Sequence, residues 1–230
     1  MKTIPGLIGI MIVLVSVVLT SCGRKPETVR EEKKVTIVFF GDSVTNGYGV
    51  DEESESFYAR IANIMESGMY GNVTTVNAGV NGDDTSEALR RVTRDVTSCN
   101  PDYVVMAFGL NDCQNKSMTP EKFRKNIYNM IAAMPGKTRV ILATSNSFLE
   151  TGQSLWKDLN GSLEPYMDSL RSIARERDLA LIDVHTAWEN QLRQDQRHME
   201  SLYVDPTHPS AQGHRLIYEV YMNTLRKILR

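Results

Sequence analysis

The chain has 230 residues, which is enough for one domain with a sizeable hydrophobic core or at most two small domains. Hydrophobic residues make up 41% and charged residues 23%, a composition that is ordinary for a soluble globular protein. The formal net charge of −2 gives no sign of a basic nucleic-acid-binding surface, so no nucleic-acid partner is expected.

The N-terminal segment has the layout of a secretion signal. Lys2 supplies a positive start, residues 4–19 are mostly apolar, and small residues lead to Cys22. The apolar run is shorter than the roughly 20 residues that span a bilayer. Residues 19–22, with the sequence LTSC, resemble the lipobox of bacterial lipoproteins.

The lipobox resemblance implies that residues 1–21 are a lipoprotein signal peptide and that Cys22 is lipidated and becomes the mature N-terminus. Acyl chains at this position would hold the protein on a membrane surface in the bacterial cell envelope. An uncleaved membrane anchor and an ordinary cleaved signal are the alternatives. Residues 22–34 are predicted to form the lipidated N-terminus and a flexible tether, and the globular domain is expected over residues 35–230.

Beyond the tether, β-rich apolar runs alternate with segments of helical spacing. Five runs predict buried strands, at residues 35–40, 73–79, 102–109, 139–144 and 179–184. The helical patterns between and after them cover residues 57–65, 85–96, 119–134, 155–177 and 210–229. This alternation predicts an α/β fold, a doubly wound, flavodoxin-like three-layer sandwich with a five-stranded parallel sheet in the order 2-1-3-4-5.

Polar motifs follow three of these strands. GDS (41–43) comes after the first strand, NAG (77–79) closes the second and GLND (109–112) closes the third. In a parallel sheet these positions share the carboxyl edge, and the crevice between strands one and three is where such sheets bind ligands. The motifs therefore bring a hydroxyl, a glycine N–H and an amide to one place.

A base for the Ser43 hydroxyl is available in residues 204–214, VDPTHPSAQGH, between the fifth strand and the last helix. Asp205 and His208 are three residues apart in a proline-bounded turn. The carboxylate can therefore orient one imidazole nitrogen while the other nitrogen accepts the serine proton.

Other interpretations of these polar residues remain open. Ser43 could cap the helix after the first strand. His214 is the competing base, although the first turns of the last helix aim it elsewhere. His185 and His198 lie in a predicted loop region, residues 184–203, and are interpreted as surface or binding residues.

Four further residues of the motifs also have structural interpretations. Asn111 could be a turn residue, and Gly79 could be glycine only for backbone freedom. Asp42 and Asp112, although adjacent to candidate site residues, are interpreted as structural carboxylates that accept hydrogen bonds from loop N–H groups.

Four motifs resemble, in order, the four blocks of the GDSL/SGNH hydrolase superfamily: Gly41-Asp42-Ser43, Gly79 within NAG, Gly109-Leu110-Asn111-Asp112 and Asp205-Pro206-Thr207-His208. The resemblance runs from residue 35 to about residue 220 and makes 35–230 an SGNH hydrolase domain. It implies that Ser43 is the nucleophile, that His208 is the general base, and that Asp205 orients His208. It assigns the oxyanion hole to the Ser43 and Gly79 N–H groups and the Asn111 side-chain amide.

The activity implied by the resemblance is hydrolysis of carboxylic esters, in which Ser43 is acylated and then released by water. No metal or cofactor is expected, and no oligomeric state is indicated. The stretch GLNDCQNKSMTPEKFRKNI resembles a branch that contains carbohydrate acetylesterases, which favours acetyl or other short acyl groups on carbohydrate or small esters.

Other functions remain open at this point. GDSVTNGYGV and VNAGVNGDDT are similar to a lysophospholipase/thioesterase-like branch that acts on longer acyl esters. A non-catalytic binding lipoprotein and an acyltransferase to a sugar are the remaining alternatives.

Overall fold

The structure is a computed structural model that describes residues 34–150 and 158–229, without the side chains of residues 196–198. The predicted signal peptide, Cys22 and all but the last residue of the tether therefore lie outside the described residues, as does the side chain of His198. Over the described ranges, none of the helices combines the length and the apolar character that crossing a bilayer requires.

Five strands form one parallel sheet in the order β2-β1-β3-β4-β5, which confirms the predicted order. The strands are β1 Val35–Gly41, β2 Val73–Gly79, β3 Tyr103–Ala107, β4 Arg139–Ala143 and β5 Ala180–Ile182. β3 and β5 are shorter than predicted because the residues at their predicted C-terminal ends instead lead into the following helices. Gly109, with φ of 132°, precedes a helix at the end of β3, and the Asp183 side chain caps a helix at the end of β5.

Helices cover both faces of the sheet, as expected for a three-layer sandwich. Over the described residues they are α1 Ser43–Asn46, α2 Phe57–Ile64, α3 Thr85–Asp95, α4 Leu110–Gln114, α5 Pro120–Ala132, α6 Leu159–Glu176, α7 Val184–Gln194 and α8 Ala211–Ile228. A π-helical turn (Met65–Met69) and 3₁₀ turns (Thr97–Cys99, Gln196–Leu202) complete the helical structure. α3, α5 and α6 pack together as one group, and α2, α7 and α8 as another.

Several helices, among them α2, α3, α5, α7 and α8, start after residues whose side chains accept the first free N–H groups, whereas α6 has no such side-chain cap. Asp84 accepts from Ser86 and Glu87 at the start of α3, and Ser210 accepts from Gly213 at the start of α8. α7 lies in a region predicted as a loop, since its sequence is mostly polar; its buried residues are Val184, His185 and Trp188. The start of the predicted helix at residue 155 lies outside the described residues.

The core lies on both faces of the central strands, which explains why these strands appear as continuous apolar runs rather than alternating ones. Phe40 at the end of β1 and Phe108 after β3 contact edge to face, with ring centroids 5.1 Å apart. Register places Gly41 beside both Gly79 and Ala107. The three strand ends that carry the polar motifs are therefore level with one another.

Replacement of Gly79 by alanine should destabilise the fold. An added Cβ would lie 2.4 Å from the backbone nitrogen of Asn46 and 2.8 Å from the carbonyl carbon of Thr45, so the end of β2 would be pushed away from α1. Overpacking against backbone costs about 1–3 kcal/mol or more. We expect a lower urea midpoint for Gly79→Ala, whereas Gly136→Ala, where no atom lies within 4 Å of the added Cβ, serves as the control. Equal midpoints for the two variants would contradict this packing.

Candidate active site

Ser43, His208 and Asp205 form a continuous chain of hydrogen bonds. Ser43 Oγ lies 3.0 Å from His208 Nε2, although the two residues are 165 positions apart in the sequence. His208 Nδ1 lies 2.7 Å from Asp205 Oδ2. Both distances are within the range at which a base accepts a proton and an acid orients the base. The fold thus brings together the three residues that the motifs predicted.

Ser43 is held at the start of α1, directly after β1. Asp42 is the residue that caps this helix, because its carboxylate accepts the Val44 N–H at 3.0 Å. The helix ends at Gly47, which has φ of 96° and donates its N–H to the Ser43 carbonyl oxygen. The hydroxyl of Ser43 therefore has no capping role and is directed to His208 instead.

The loop that carries His208 is organised around the Asp205 carboxylate. One oxygen accepts the backbone N–H groups of Thr207 at 2.8 Å and His208 at 2.9 Å, and the other meets the imidazole. Partial burial would raise the pKa of Asp205, but these hydrogen bonds outweigh it and hold the pKa below its ordinary value. An ionised Asp205 favours the tautomer with hydrogen on Nδ1, which leaves Nε2 to accept from Ser43.

Tyr48 covers one face of the His208 ring, with ring centroids 4.4 Å apart and an angle of 46° between the planes. Its neighbour Gly49 has φ of 88°, and an added Cβ there would lie 2.6 Å from Val204. The loop after α1 therefore packs closely against the loop of the base. In the sequence Tyr48 lies five residues after Ser43, which does not by itself show that it covers the imidazole.

The predicted oxyanion donors differ in their availability. The Gly79 N–H, predicted as an oxyanion donor, donates to Asn77 Oδ1 at 2.9 Å and so already has an acceptor in this structure. Asn111 Nδ2 donates one hydrogen to the Asp83 carbonyl oxygen at 2.9 Å, and its second hydrogen has no acceptor within the described ranges.

Sequence reasoning missed Gly82, which lies between Gly79 and Asp83. It is exposed, has φ of 82° in a turn closed by the Asp83 N–H and the Val80 carbonyl, and its N–H has no acceptor among the described residues. The signal for this turn was the Asn81-Gly82 dipeptide, a common turn sequence.

The other described histidines do not contact Ser43. Burial, with repulsion from Arg60 and His208, lowers the pKa of His214 to about 4, so its ring is neutral. That ring accepts the Phe57 N–H through Nδ1 at 3.3 Å. His185 is buried rather than on the surface, with Nε2 2.9 Å from Glu164, because α7 turns it inward where a loop was expected.

Two buried carboxylates stand behind the site. Asp42 accepts the Val44 N–H at 3.0 Å and Asp112 accepts the Thr85 N–H at 2.9 Å. Both are therefore structural carboxylates, although the N–H groups they bind lie in the first turns of α1 and α3 rather than in loops. Burial raises the pKa of Asp42 to about 7, with a further contribution from the charge of Asp112, and burial raises the pKa of Asp112 to about 6. In the part of the chain that the structure covers, no group of three or more His, Cys, Asp or Glu side chains is arranged to hold a metal ion.

The chain is similar to known proteins both in sequence and in fold. Residues 39–216 match the model of the GDSL-like lipase/acylhydrolase family. Among curated proteins, the uncharacterized lipoprotein YqeF of Bacillus subtilis (strain 168) is 25% identical in an alignment of 212 positions, and the match covers 80% of this chain and 86% of YqeF.

Solved structures with the same fold include esterases and lipases. The lipase/acylhydrolase from Enterococcus faecalis is 25% identical, has a TM-score of 0.71, and the match covers 85% of this chain and 97% of that protein. The acetylxylan esterase Axe2 from Geobacillus stearothermophilus shares the fold at 18% identity, with a TM-score of 0.70 over 83% of this chain and 94% of Axe2. The family match spans most of the domain, and the chain therefore belongs to the GDSL-like lipase/acylhydrolase family and is a carboxylic ester hydrolase.

Proposed function

We propose that Ser43, His208 and Asp205 are the catalytic triad of an esterase that works through an acyl-enzyme. The observation that carries this proposal is the unbroken path from Ser43 Oγ to His208 at 3.0 Å and from His208 to Asp205 at 2.7 Å. A serine hydroxyl is a weak nucleophile unless an adjacent base takes its proton, and this arrangement supplies that base.

The chemistry follows from these three positions. Ser43 Oγ attacks the ester carbonyl carbon while His208 Nε2 accepts the hydroxyl proton, and Asp205 stabilises the imidazolium that results. His208 then gives the proton to the leaving alcohol oxygen as the carbon–oxygen bond breaks. In the second half, His208 removes a proton from water while the water oxygen attacks the acyl carbon. The bond between that carbon and Ser43 Oγ then breaks, His208 returns the proton to Ser43 Oγ, and the carboxylic acid is released.

The negative oxygen of each tetrahedral intermediate needs nearby donors. We assign this role to the Ser43 N–H, the second hydrogen of Asn111 Nδ2 and the Gly82 N–H. Gly82 replaces Gly79 in this assignment because Asn77 already accepts the Gly79 N–H. Each preorganised donor contributes about 3 kcal/mol to the transition state.

The substrates are acetyl or other short acyl esters of carbohydrate or of small alcohols. The site is open to solvent, since Tyr48 is 45% exposed beside His208 and Val204 is 48% exposed on the adjoining loop. Val80, also exposed, follows Gly79 at the same edge of the sheet. An open apolar rim suits a large alcohol group such as a sugar, whose apolar face packs on aromatic and aliphatic side chains. The name of the fold neighbour Axe2, an acetylxylan esterase, agrees with this substrate class.

We further infer that the chain is a lipoprotein of the cell envelope. Residues 1–21 would be removed, Cys22 would carry the lipid, residues 22–34 would form the tether, and residues 35–230 would form the hydrolase domain. Support comes from the LTSC motif and from the name of the relative YqeF, which is a lipoprotein.

Ser43→Ala should abolish ester hydrolysis, because the variant retains the fold but has no nucleophile. We expect kcat/KM for 4-nitrophenyl acetate to fall by at least about 10⁴-fold. The circular dichroism spectrum and the melting temperature should stay close to those of the wild type. Ser54→Ala, an exposed serine eleven positions away, is the control. Activity of Ser43→Ala within tenfold of the wild type would refute the nucleophile.

Acyl-chain preference tests the substrate class. Turnover of 4-nitrophenyl acetate should exceed that of 4-nitrophenyl decanoate by at least about tenfold in kcat/KM, equal to about 1.4 kcal/mol of discrimination. The enzyme should also release acetate from acetylated oligosaccharides, at a rate proportional to enzyme concentration, as measured by chromatography. A preference for decanoate would instead support the lysophospholipase/thioesterase-like alternative.

Cys22→Ala should release the protein from membranes when the full chain is expressed in a bacterium that processes lipoproteins. The wild type should incorporate labelled palmitate and sediment with the membrane fraction, because acyl chains on Cys22 bury in the bilayer. Cys99→Ala, which lies within the folded domain, is the control and should behave as the wild type. Palmitate labelling that persists in Cys22→Ala would show that the lipid is elsewhere.

A further inference from the structure

We propose that Arg91 is a positioning residue that fixes the places of the oxyanion-hole donors without contacting the substrate. This inference rests on the proposed function. Arg91 lies on α3, outside the four motifs and without contact with Ser43 or His208. Its side chain is 8% exposed, whereas that of its neighbour Arg90 is 70% exposed. A buried guanidinium is costly unless its N–H groups are paired, so the partners of Arg91 indicate its role.

The guanidinium of Arg91 joins the ends of two strands. One nitrogen donates to the Gly41 carbonyl oxygen at 2.9 Å, at the end of β1, and another donates to the Ala78 carbonyl oxygen at 2.8 Å, near the end of β2. The same group lies 4.6 Å from the centroid of the Phe40 ring, which it covers. The carbonyl groups of a strand end determine where the following loop departs, so Arg91 fixes two of the loops that carry donors.

Arg91 also holds the third part of the site through an ion pair with the buried carboxylate of Asp83. The backbone carbonyl oxygen of Asp83 in turn accepts the Asn111 side-chain N–H at 2.9 Å. Asp95, on the same helix, accepts from Arg91 at 3.3 Å and restricts the guanidinium from the other side.

Each proposed donor thus lies close to a residue that Arg91 holds. Ser43 is two residues after Gly41, Gly82 is the residue before Asp83, and Asn111 is bonded to the Asp83 carbonyl. A planar group with five N–H donors in a fixed arrangement can hold these separate acceptors at once, whereas an ammonium group is a compact point charge on a flexible stem. Arg91 would therefore act on transition-state stabilisation, through the placement of donors, and not on the Ser43–His208 pair.

The experiment compares Arg91→Lys with Arg90→Lys as the matched control. Active sites are first counted by stoichiometric labelling with a fluorophosphonate, so that kcat for 4-nitrophenyl acetate refers to intact sites only. We expect kcat per labelled site to fall by about 10- to 100-fold in Arg91→Lys, because displacements near 1 Å have costs of that order. KM should change by less than about threefold, since the donors act mainly in the transition state.

Two further measurements separate positioning from simple loss of structure. Affinity for a phenylboronic acid, which forms a tetrahedral adduct with the nucleophile, should fall by the same factor as kcat/KM in Arg91→Lys. The pH profile of kcat/KM should be unchanged, because His208 and Asp205 are not touched. If Arg91→Lys does not fold, Asp83→Asn is measured in its place. We then expect kcat per labelled site and boronic acid affinity each to fall by about 3- to 10-fold, because the ion pair with Arg91 is lost.

The proposal is overturned if kcat per labelled site and boronic acid affinity stay within twofold of the wild type, or if kcat falls while boronic acid affinity does not. Failure of the wild type to be labelled at Ser43 would instead refute the proposed function itself. The two failures are therefore distinguishable in one set of samples.

Discussion

The parallel pairing of β1 with both β2 and β3 is the constraint on which the rest of the site depends. Because Gly41 is in register with Gly79 on one side and Ala107 on the other, three chain segments leave the sheet at the same level. The loops that follow carry the nucleophile, the turn with the exposed glycine, and the side-chain amide. A shift of register by one residue would turn every side chain of a strand to the opposite face, so the buried core enforces this alignment.

The second requirement is that the backbone of α1 lies close to the ends of β1 and β2, and glycine at these strand ends leaves the space for it. An added Cβ at Gly41 would lie 2.1 Å from Thr45 Oγ1 and 2.8 Å from the Ala107 carbonyl oxygen. α1 can therefore sit directly over the ends of β1 and β2, with Ser43 as its first residue. Only four residues long, this helix cannot hold its own shape, and its position comes from the Asp42 cap and from the strands beneath it.

The buried ionisable groups next to the site are mostly acidic, although the reaction develops a negative charge. Asp42, Asp83 and Asp112 are all buried near the nucleophile, and Arg91 is the cation that pairs with one of them. Burial raises the pKa of Asp42 to about 7, so this carboxyl is partly protonated at neutral pH, whereas Asp112, with a pKa of about 6, stays mostly ionised. The negative charge that develops on a bound ester oxygen is therefore repelled by fewer carboxylates than the number of acidic residues suggests.

Much of the molecule was determined by the sequence alone, because the interactions responsible are local or depend only on residue type. Apolar runs that must be buried on both faces located all five strands, and alternation with helices led to their order. The pair of Asp205 and His208 was also accessible, since three residues in a proline-bounded turn bring the carboxylate to the imidazole at 2.7 Å.

Only the tertiary structure decided the features that depend on where separate segments meet. The contact of Ser43 with His208 spans 165 positions, and no local pattern measures such a distance. Whether Gly79 or Gly82 presents a free N–H depends on the direction of a peptide group within a turn and on the Asn77 side chain beside it. His185 is buried because α7 rotates it toward Glu164, which its polar sequence did not indicate. Hydrogen-bond direction and side-chain burial are set by packing between distant parts of the chain, and composition and spacing carry no information about them.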